Sequence, residues 1–328
     1  MHPWFTYIHP SLRTSLVVWG ITRAGFLGIC ARHSEGSTLT FPDSIAGAPL
    51  WSALLHLIDA AAHATSDTVL GLPTRALALR IVAEVLLWAA IHGVYSLCRK
   101  DMLPQTAERA TWLWATSPVL LLVSTHDPGP WALAIPCAAI ALGAACRAQF
   151  VLGSLAMVCA VFAKPECVLL APGLAWLGWR DYAEGRDPGW APWAMTLAPI
   201  AALPAAVFTA FFFGGRAGIS LRTLSDTPWR RELVWHGPWA HLPDLGALLV
   251  VGLAVACAGA YFKRVPRAWW ALVAPAVLWP FTQAAPEDAM ALYAASVPLF
   301  AVAAKVLDDP TRERPFLVLS VLMSALLI

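Results

Sequence analysis

Two carboxylates that could take a proton from a hydroxyl group lie in a polar segment near the N-terminus. The segment RHSEGSTLTFPDSIAGAP carries Glu35 and Asp43, and either side chain could act as a general base or hold a divalent metal ion. Asp43 is the first candidate, because it follows an aromatic residue, Phe41, and lies just before a predicted helix; Glu35 is the second. The alternative interpretation is that both are solvated loop acids.

Arginines that could bind phosphate are concentrated in a second polar segment, at 214–244. Three of them, Arg222, Arg230 and Arg231, are interleaved with tryptophans. A guanidinium group binds two phosphate oxygens at once, and tryptophan suits a membrane interface where one edge of the ring is wet. The segment is therefore a candidate site for a phosphate or pyrophosphate headgroup, and the alternative is anchoring to anionic lipid.

Two further polar groups interrupt apolar sequence. Lys164 and Glu166 flank a proline in VFAKPECVLLAP, and His126 and Asp127 lie in STHDPGP, which connects two predicted helices. Lys164 could offset negative charge on a phosphate, while Glu166, His126 and Asp127 could bind a substrate. Asp127 has an alternative interpretation as the N-cap of the next helix, because Asp favours that position and Pro favours the first turn.

The composition indicates which kind of chain must position these side chains. Of the residues, 59% are hydrophobic and 13% are charged, whereas soluble domains carry roughly 25% charged residues. Long apolar runs recur along the whole chain, which predicts an all-α polytopic membrane protein with about 10–11 transmembrane helices in a single domain, 1–328. The net charge of +2 comes with basic residues in short clusters between apolar runs, a pattern of membrane topology and not of nucleic-acid binding.

The apolar runs place the predicted spans near 14–31, 75–98, 110–125, 130–146, 149–163, 166–179, 190–213, 245–262, 267–283, 287–305 and 315–328. The segment 46–64 differs, because His56, Asp59 and His63 fall at helical spacing opposite Leu54, Leu57 and Ile58. That pattern predicts an amphipathic helix that lies on the membrane surface after the first span.

The stretch 149–179 has two interpretations. It is either one long span with Lys164 and Glu166 buried at mid-membrane, or a hairpin of two short helices with KPE at the turn. Burying the lysine costs about 2.5–3.5 kcal/mol on insertion scales, and the proline disfavours helix at Lys164. The hairpin also leaves an excess of Lys and Arg in the inside loops, which a single span removes. We therefore predict the hairpin, with Lys164 and Glu166 facing an outer recess and with loops 32–74 and 214–244 on the same outer side.

Two other groups are expected to be structural. Arg80 and Glu84 are four residues apart in one predicted span, so they should pair with each other or with Arg23 inside the bundle. The seven cysteines lie inside or at the ends of apolar runs and form no CxxC pair, which argues against a disulfide framework or a zinc site.

The centre of the chain, 117–181, carries an ordered set of short motifs. A Ser-Pro start is followed by a small-residue turn with an acid, a basic turn, GSLA, a Lys-Pro turn and an apolar run that ends in proline: Ser117, Pro118, Asp127, Arg147, Gly153, Lys164, Pro165 and Pro172. ALYAASVPLFAVAAKVL at 291–307 and GAPLWSALLHLID at 47–59 add a tyrosine-then-proline helix and a Pro-Leu-aromatic helix start. In these features the chain resembles the glycosyltransferase-C superfamily, most closely the polyprenyl-phosphate-mannose-dependent mannosyltransferases related to the second mannosyltransferase of GPI-anchor synthesis.

The resemblance implies a multi-helix fold with an extracytoplasmic active site and a catalytic acidic residue in the first outer loop. It implies transfer, with inversion, of a mannose-like sugar from a polyprenyl-phosphate donor to a lipid or glycan acceptor. We expect no nucleic-acid partner, no cofactor beyond a divalent metal ion held by the loop acids, and a location in a bacterial cell membrane rather than the endoplasmic reticulum. Relatives carry a Trp-Asp pair in that loop, which is absent here; the alternative is a non-catalytic membrane subunit or a lipid-binding, transporter-like protein.

Overall fold

The computed structural model describes residues 49–63, 68–69, 72–115, 120, 130–183 and 189–216. Within these ranges two short strands, β1 (Thr68–Val69) and β2 (Leu72–Pro73), pair antiparallel ahead of a long helix. The α-helices of the described part are α1 (Pro49–His63), α2 (Thr74–Asp101), α3 (Pro104–Ala115), α4 (Trp131–Cys146), α5 (Phe150–Ala163), α6 (Ala171–Ala183) and α7 (Ala191–Arg216).

The described residues confirm the predicted all-α membrane class. Apart from β1 and β2, they form helices and the turns between them. The segment Leu77–Asp101 of α2 is long and apolar enough to cross a membrane, and α4, α5 and α7 contain shorter apolar segments. Large apolar side chains such as Val151, Leu155 and Ile200 are exposed on α5 and α7, as expected for helices whose outer surface meets lipid. The predicted span at 14–31 and the spans after 216 lie outside the described residues.

Helices α2 and α4 pack side by side and run in the same direction. Towards their C-terminal halves the backbones touch, because a Cβ atom added to Gly143 would collide with the backbone of Gly93. Nearer their N-termini, Leu87 of α2 lines a small apolar pocket together with Trp131 and Ile135 of α4. The later part of α2 thus contacts the later part of α4, and an earlier part of α2 contacts the start of α4. The two helices are therefore parallel.

Helices α5 and α6 run in opposite directions and are joined by a reversal at Lys164. This residue has an extended backbone (φ −149°, ψ 107°) and is followed by a 3-10 helix, Pro165–Leu170, that leads into α6. Gly153, early in α5, and Gly178, late in α6, both lie beside the side chain of Met195 in α7. The end of α6 therefore returns to the start of α5. A single straight helix would separate those two glycines by about 37 Å. The predicted reversal at KPE is confirmed, while the outward orientation of this turn stays a prediction.

Helix α3 begins earlier than the predicted span at 110–125. It starts at Pro104 and continues through Gln105, Thr106 and Glu108. Proline is favoured in the first turn of a helix, where a backbone donor has no intrahelical partner. A prediction based on apolar runs misses such a polar first turn, since those residues carry no apolar signal.

Helix α1 occupies the position predicted for the surface helix, with a different buried face. Trp51 and Ile58 are buried, whereas Leu57, which the prediction placed on the apolar face with Ile58, is 68% exposed. At 100° per residue Leu57 lies about a third of a turn away from the line that joins Trp51 and Ile58. Leu57 therefore belongs to neither the buried face nor the predicted polar face that carries His56. Its contact with a membrane surface stays a prediction.

Candidate functional site

Lys164 and the backbone of Glu166 are the predicted site residues that lie within the described ranges. The side chain of Glu166 and the remaining predicted site residues lie outside the described part of the chain: Glu35, Asp43, His126, Asp127, Arg222, Arg230 and Arg231. The structure therefore positions one candidate directly. For His126, Asp127 and the three arginines it describes the helices to which their segments connect, α4 and α7.

Backbone hydrogen bonds on both sides hold Lys164 at the reversal. Its N–H donates to the carbonyl of Ala160 (2.8 Å) and closes the last turn of α5. Its own carbonyl accepts from the N–H of Cys167 (3.0 Å) and opens the 3-10 helix. Pro165 disfavours the α conformation in the residue before it, so α5 ends here and Lys164 becomes extended. The backbone of Lys164 is thus held in one conformation, and its half-buried side chain extends from there.

The ammonium group of Lys164 lies over the indole ring of Trp131. Its Nζ atom is 5.3 Å from the ring centroid, inside the range of about 6 Å over which an aromatic face attracts a cation. Trp131 is the first residue of α4 and is 7% exposed. The contact joins the α5–α6 reversal to the start of α4, four residues after Asp127.

Trp131 is not among the site residues predicted from the sequence. The available signal was its position directly after DPGP, at the beginning of a predicted helix and next to a candidate acid. Its partner lies 33 residues further along the chain, and no periodicity or motif spacing connects Trp131 with Lys164. Only the antiparallel return of the chain brings the two side chains together.

We call the end of the bundle that contains Lys164 and Trp131 the outer end, after its predicted side. Helix α2 begins at the outer end, because it runs parallel to α4 and packs against the same early residues. Helix α7 runs towards the outer end, because Met195, near its start, lies beside the opposite ends of α5 and α6. The segment before α2, the segment before α4 and the segment after α7 therefore join the bundle at one end.

A buried arginine and a buried glutamate lie one turn apart in α2 towards the outer end. Arg80 is 4% exposed and Glu84 is 7% exposed, and each takes part in at least one interaction. Ala83, beside Glu84 in sequence, lines the apolar pocket with Trp131. Charges at such depth persist where they are paired, which agrees with the structural role predicted for them. Arg23, the alternative partner, lies outside the described residues.

At the opposite end of the bundle, Arg147 links the α4–α5 turn to α2. Its Nη1 atom lies 2.6 Å from Nε2 of His92, and its Nε donates to the carbonyl of Gly143 at 3.4 Å. A guanidinium group can only donate, so Nε2 of His92 accepts and the ring hydrogen resides on Nδ1. The contact fixes α4 against α2 far from Lys164, and we assign it a structural role.

The described residues contain no group of three His, Cys, Asp or Glu side chains placed to hold a metal ion. Glu35 and Asp43, the acids predicted as possible metal ligands, lie outside these ranges. A divalent metal ion in the first loop stays a prediction. What the described residues provide for chemistry is one positive charge, placed over the indole ring of Trp131.

Comparison with solved structures finds a similarity to a membrane enzyme. The crystal structure of the oligosaccharyltransferase of Archaeoglobus fulgidus, in complex with zinc and sulfate, is similar at 16% sequence identity and a TM-score of 0.48, over 86% of this chain and 43% of that chain. This chain thus spans less than half the length of that protein. No protein-family model and no curated protein matches the sequence. A likeness of this extent assigns neither a fold nor an activity to this chain.

Proposed function

We propose that this chain is a membrane glycosyltransferase that moves a mannose-like sugar from a polyprenyl-phosphate donor to a lipid or glycan acceptor. The observation that carries the proposal is the position of Lys164. The Lys-Pro motif of the family resemblance coincides with a reversal of the chain, which holds a half-buried ammonium group at the outer end of the bundle. Helix α4, which follows Asp127, begins at that end, and helix α7, which precedes the candidate arginines, runs towards it.

The proposed reaction needs a proton acceptor and a positive charge at one place. The acceptor hydroxyl attacks the anomeric carbon of the donor sugar, the bond from that carbon to the phosphate oxygen breaks, and the configuration inverts. The hydroxyl proton passes to Asp43, with Glu35 as the second candidate. The bond electrons stay with the departing polyprenyl phosphate, whose charge Lys164 offsets.

The remaining site residues take binding roles in this proposal. Arg222, Arg230 and Arg231 bind the donor phosphate through their guanidinium groups. His126, Asp127 and Glu166 contact the acceptor, and Glu166 also helps to hold Lys164. The site faces the extracytoplasmic side of a bacterial cell membrane, and its partners are the donor lipid, the acceptor and the bilayer.

The test is sugar transfer by the purified protein in lipid nanodiscs, with labelled polyprenyl-phosphate mannose and glucose as donors. The wild-type chain should transfer label to an added lipid or glycan acceptor. Lys164→Ala should lower donor use at least tenfold, since it removes the positive charge from the reversal. Lys100→Ala is the matched control, because Lys100 is a lysine at the opposite end of α2.

Two results would contradict the proposal in different ways. Saturable binding of polyprenyl phosphate without transfer from any donor would favour a lipid-binding protein. Neither binding nor transfer, in a protein that is folded and monodisperse, would favour a non-catalytic subunit.

A further inference from the structure

The indole ring of Trp131 has two neighbours of opposite character. The ammonium group of Lys164 lies over the ring, 5.3 Å from its centroid. The same residue lines the small apolar pocket between α2 and α4, with Leu87 and Ile135 among the other lining residues. The ring therefore links the ammonium group of Lys164 to the packed interface between α2 and α4.

The ring is well suited to restrain this lysine. A lysine side chain is a flexible four-carbon stem, so the ammonium group of an isolated Lys164 would sample a wide arc from the reversal. An aromatic face attracts the charged ammonium group electrostatically, through the quadrupole of the ring. Trp131 is itself fixed, because it is buried in the first turn of α4. The start of one helix can thus hold the charged group of another segment in place.

We propose that Trp131 is a positioning residue for Lys164, whose indole face holds the ammonium group at the outer end where it meets an anionic ligand. The inference rests on the proposed function for the identity of that ligand. An ammonium group held at one point suits the phosphate of the donor lipid, whose negative charge it would offset.

The first experiment requires no ligand and measures how reactive each lysine is. The protein has four lysines, at 100, 164, 263 and 305, so an amine-reactive reagent followed by peptide mass spectrometry reports each one separately. Trp131→Leu should raise the labelling rate of Lys164 roughly three- to tenfold, because the attraction to the ring is lost. Trp131→Phe and Trp131→Tyr should stay within about twofold, since they keep an aromatic face.

Two controls separate this effect from a general loosening of the fold. Lys100 serves as the internal reference in every variant. Trp51→Leu removes a tryptophan of nearly equal burial, 6% against 7% exposed, and should leave the labelling rate of Lys164 unchanged. If Trp131→Leu does not accumulate, Trp131→Met provides the same comparison. An unchanged rate for Lys164 in these non-aromatic variants overturns the proposal.

The second experiment measures the binding of polyprenyl phosphate to the purified protein as a double-mutant cycle. Trp131→Leu should weaken binding several-fold in the wild-type background and have no further effect when Lys164 is already Ala, because Trp131 acts through Lys164. A full additional loss in the Lys164→Ala background would make Trp131 a merely structural residue and overturn the inference. Failure of the wild-type protein to bind polyprenyl phosphate would count against the proposed function, while the labelling result would still decide the Trp131–Lys164 contact.

Discussion

At the scale of single residues, a proline and a tryptophan decide where Lys164 can act. Pro165 ends α5 and leaves the backbone of Lys164 extended. Trp131, which lies in α4, attracts the ammonium group of Lys164. Neither residue supplies a proton acceptor. The proposed reaction therefore depends on an acid from a different segment, and Asp43 is the candidate that follows an aromatic residue and precedes α1.

Asp43→Asn tests that assignment. Turnover should fall by roughly 10²–10⁴-fold, the usual contribution of a general base, with little change in protein yield, because a loop acid adds little to folding. Initial rates with labelled donor and the amount of purified protein measure the two quantities. Glu35→Gln is the matched control and should cause a smaller loss. If both variants keep full activity, the base lies elsewhere, and Asp127 becomes the next candidate.

The arginines of the second loop make a separate prediction about donor binding. Replacing Arg222, Arg230 or Arg231 with Ala should raise the donor KM, by roughly tenfold for a residue that makes a charge-assisted hydrogen bond to phosphate. A similar loss with Lys would show that the planar fork of arginine matters, and not its charge alone. If donor binding is unchanged in all three single variants and in the triple variant, the arginines of this loop do not bind the donor and serve to anchor the loop to anionic lipid.

At the scale of elements, the packing of α2 against α4 depends on two glycines. A Cβ at Gly143 would collide with the backbone of Gly93, and a Cβ at Gly93 would lie 2.7 Å from the carbonyl oxygen of Ala139. Backbone atoms cannot move aside as a side chain can. The two helices therefore touch over a short stretch where no side chain intervenes.

Gly143→Ala should consequently destabilise the protein by about 1–3 kcal/mol, the usual cost of overpacking. Gly153→Ala is a matched control in a neighbouring helix, because its added methyl group would face the Sδ atom of Met195 at 3.2 Å, and a methionine side chain can adjust. The control should cost less than about 1 kcal/mol. Thermal unfolding in detergent measures both variants, and equal losses would contradict the backbone contact.

The positions of the helices could be predicted from the sequence, because apolar runs and breaker residues mark them locally. The runs at 75–98, 130–146 and 149–163 match α2, α4 and α5 to within a few residues. The hairpin followed from a lysine and a proline in the middle of an apolar stretch. The start of α3 was missed because its first turn is polar.

Contacts between helices could not be predicted in the same way. The pairs Trp131–Lys164 and His92–Arg147 join residues that are far apart in the chain. Each pair depends on how the helices pack, and on which side chains of a helix then face a neighbour. Of the candidate site, the sequence therefore identified the lysine and its turn, but not the ring that holds the lysine.

At the scale of the whole molecule, the described helices have two distinct ends. Lys164 and Trp131 lie at the outer end, and Arg147 lies at the opposite end with His92. Helix α5 connects the two ends, since Gln149 directly precedes it and Lys164 directly follows it. If α5 crosses the membrane in the predicted direction, these two residues face opposite sides of the bilayer.

Cysteine labelling in intact cells tests this prediction. In a variant without the seven native cysteines, a cysteine at 164 should react with a membrane-impermeant thiol reagent added outside the cell. A cysteine at Gln149, which is exposed at the other end of α5, should react only after the cells are opened. Labelling of both positions from the same side, or failure to label 164 from outside, would overturn the predicted orientation of the hairpin in the membrane and the outward site with it.

The contact between Gly93 and Gly143 has a mechanical consequence. Trp131 lies twelve residues from Gly143, or about 18 Å along α4, so a tilt of α4 about this contact would move Trp131. A tilt of about 5° would move the indole ring by roughly 1.5 Å, and a misplacement of about 1 Å at a reacting centre can cost up to roughly 100-fold in rate. A Gly143→Ala protein that accumulates should therefore show an altered labelling rate at Lys164, although the added methyl group is remote from that lysine. An unchanged rate would mean that α4 bends between the two points and that the outer end is insulated from this contact.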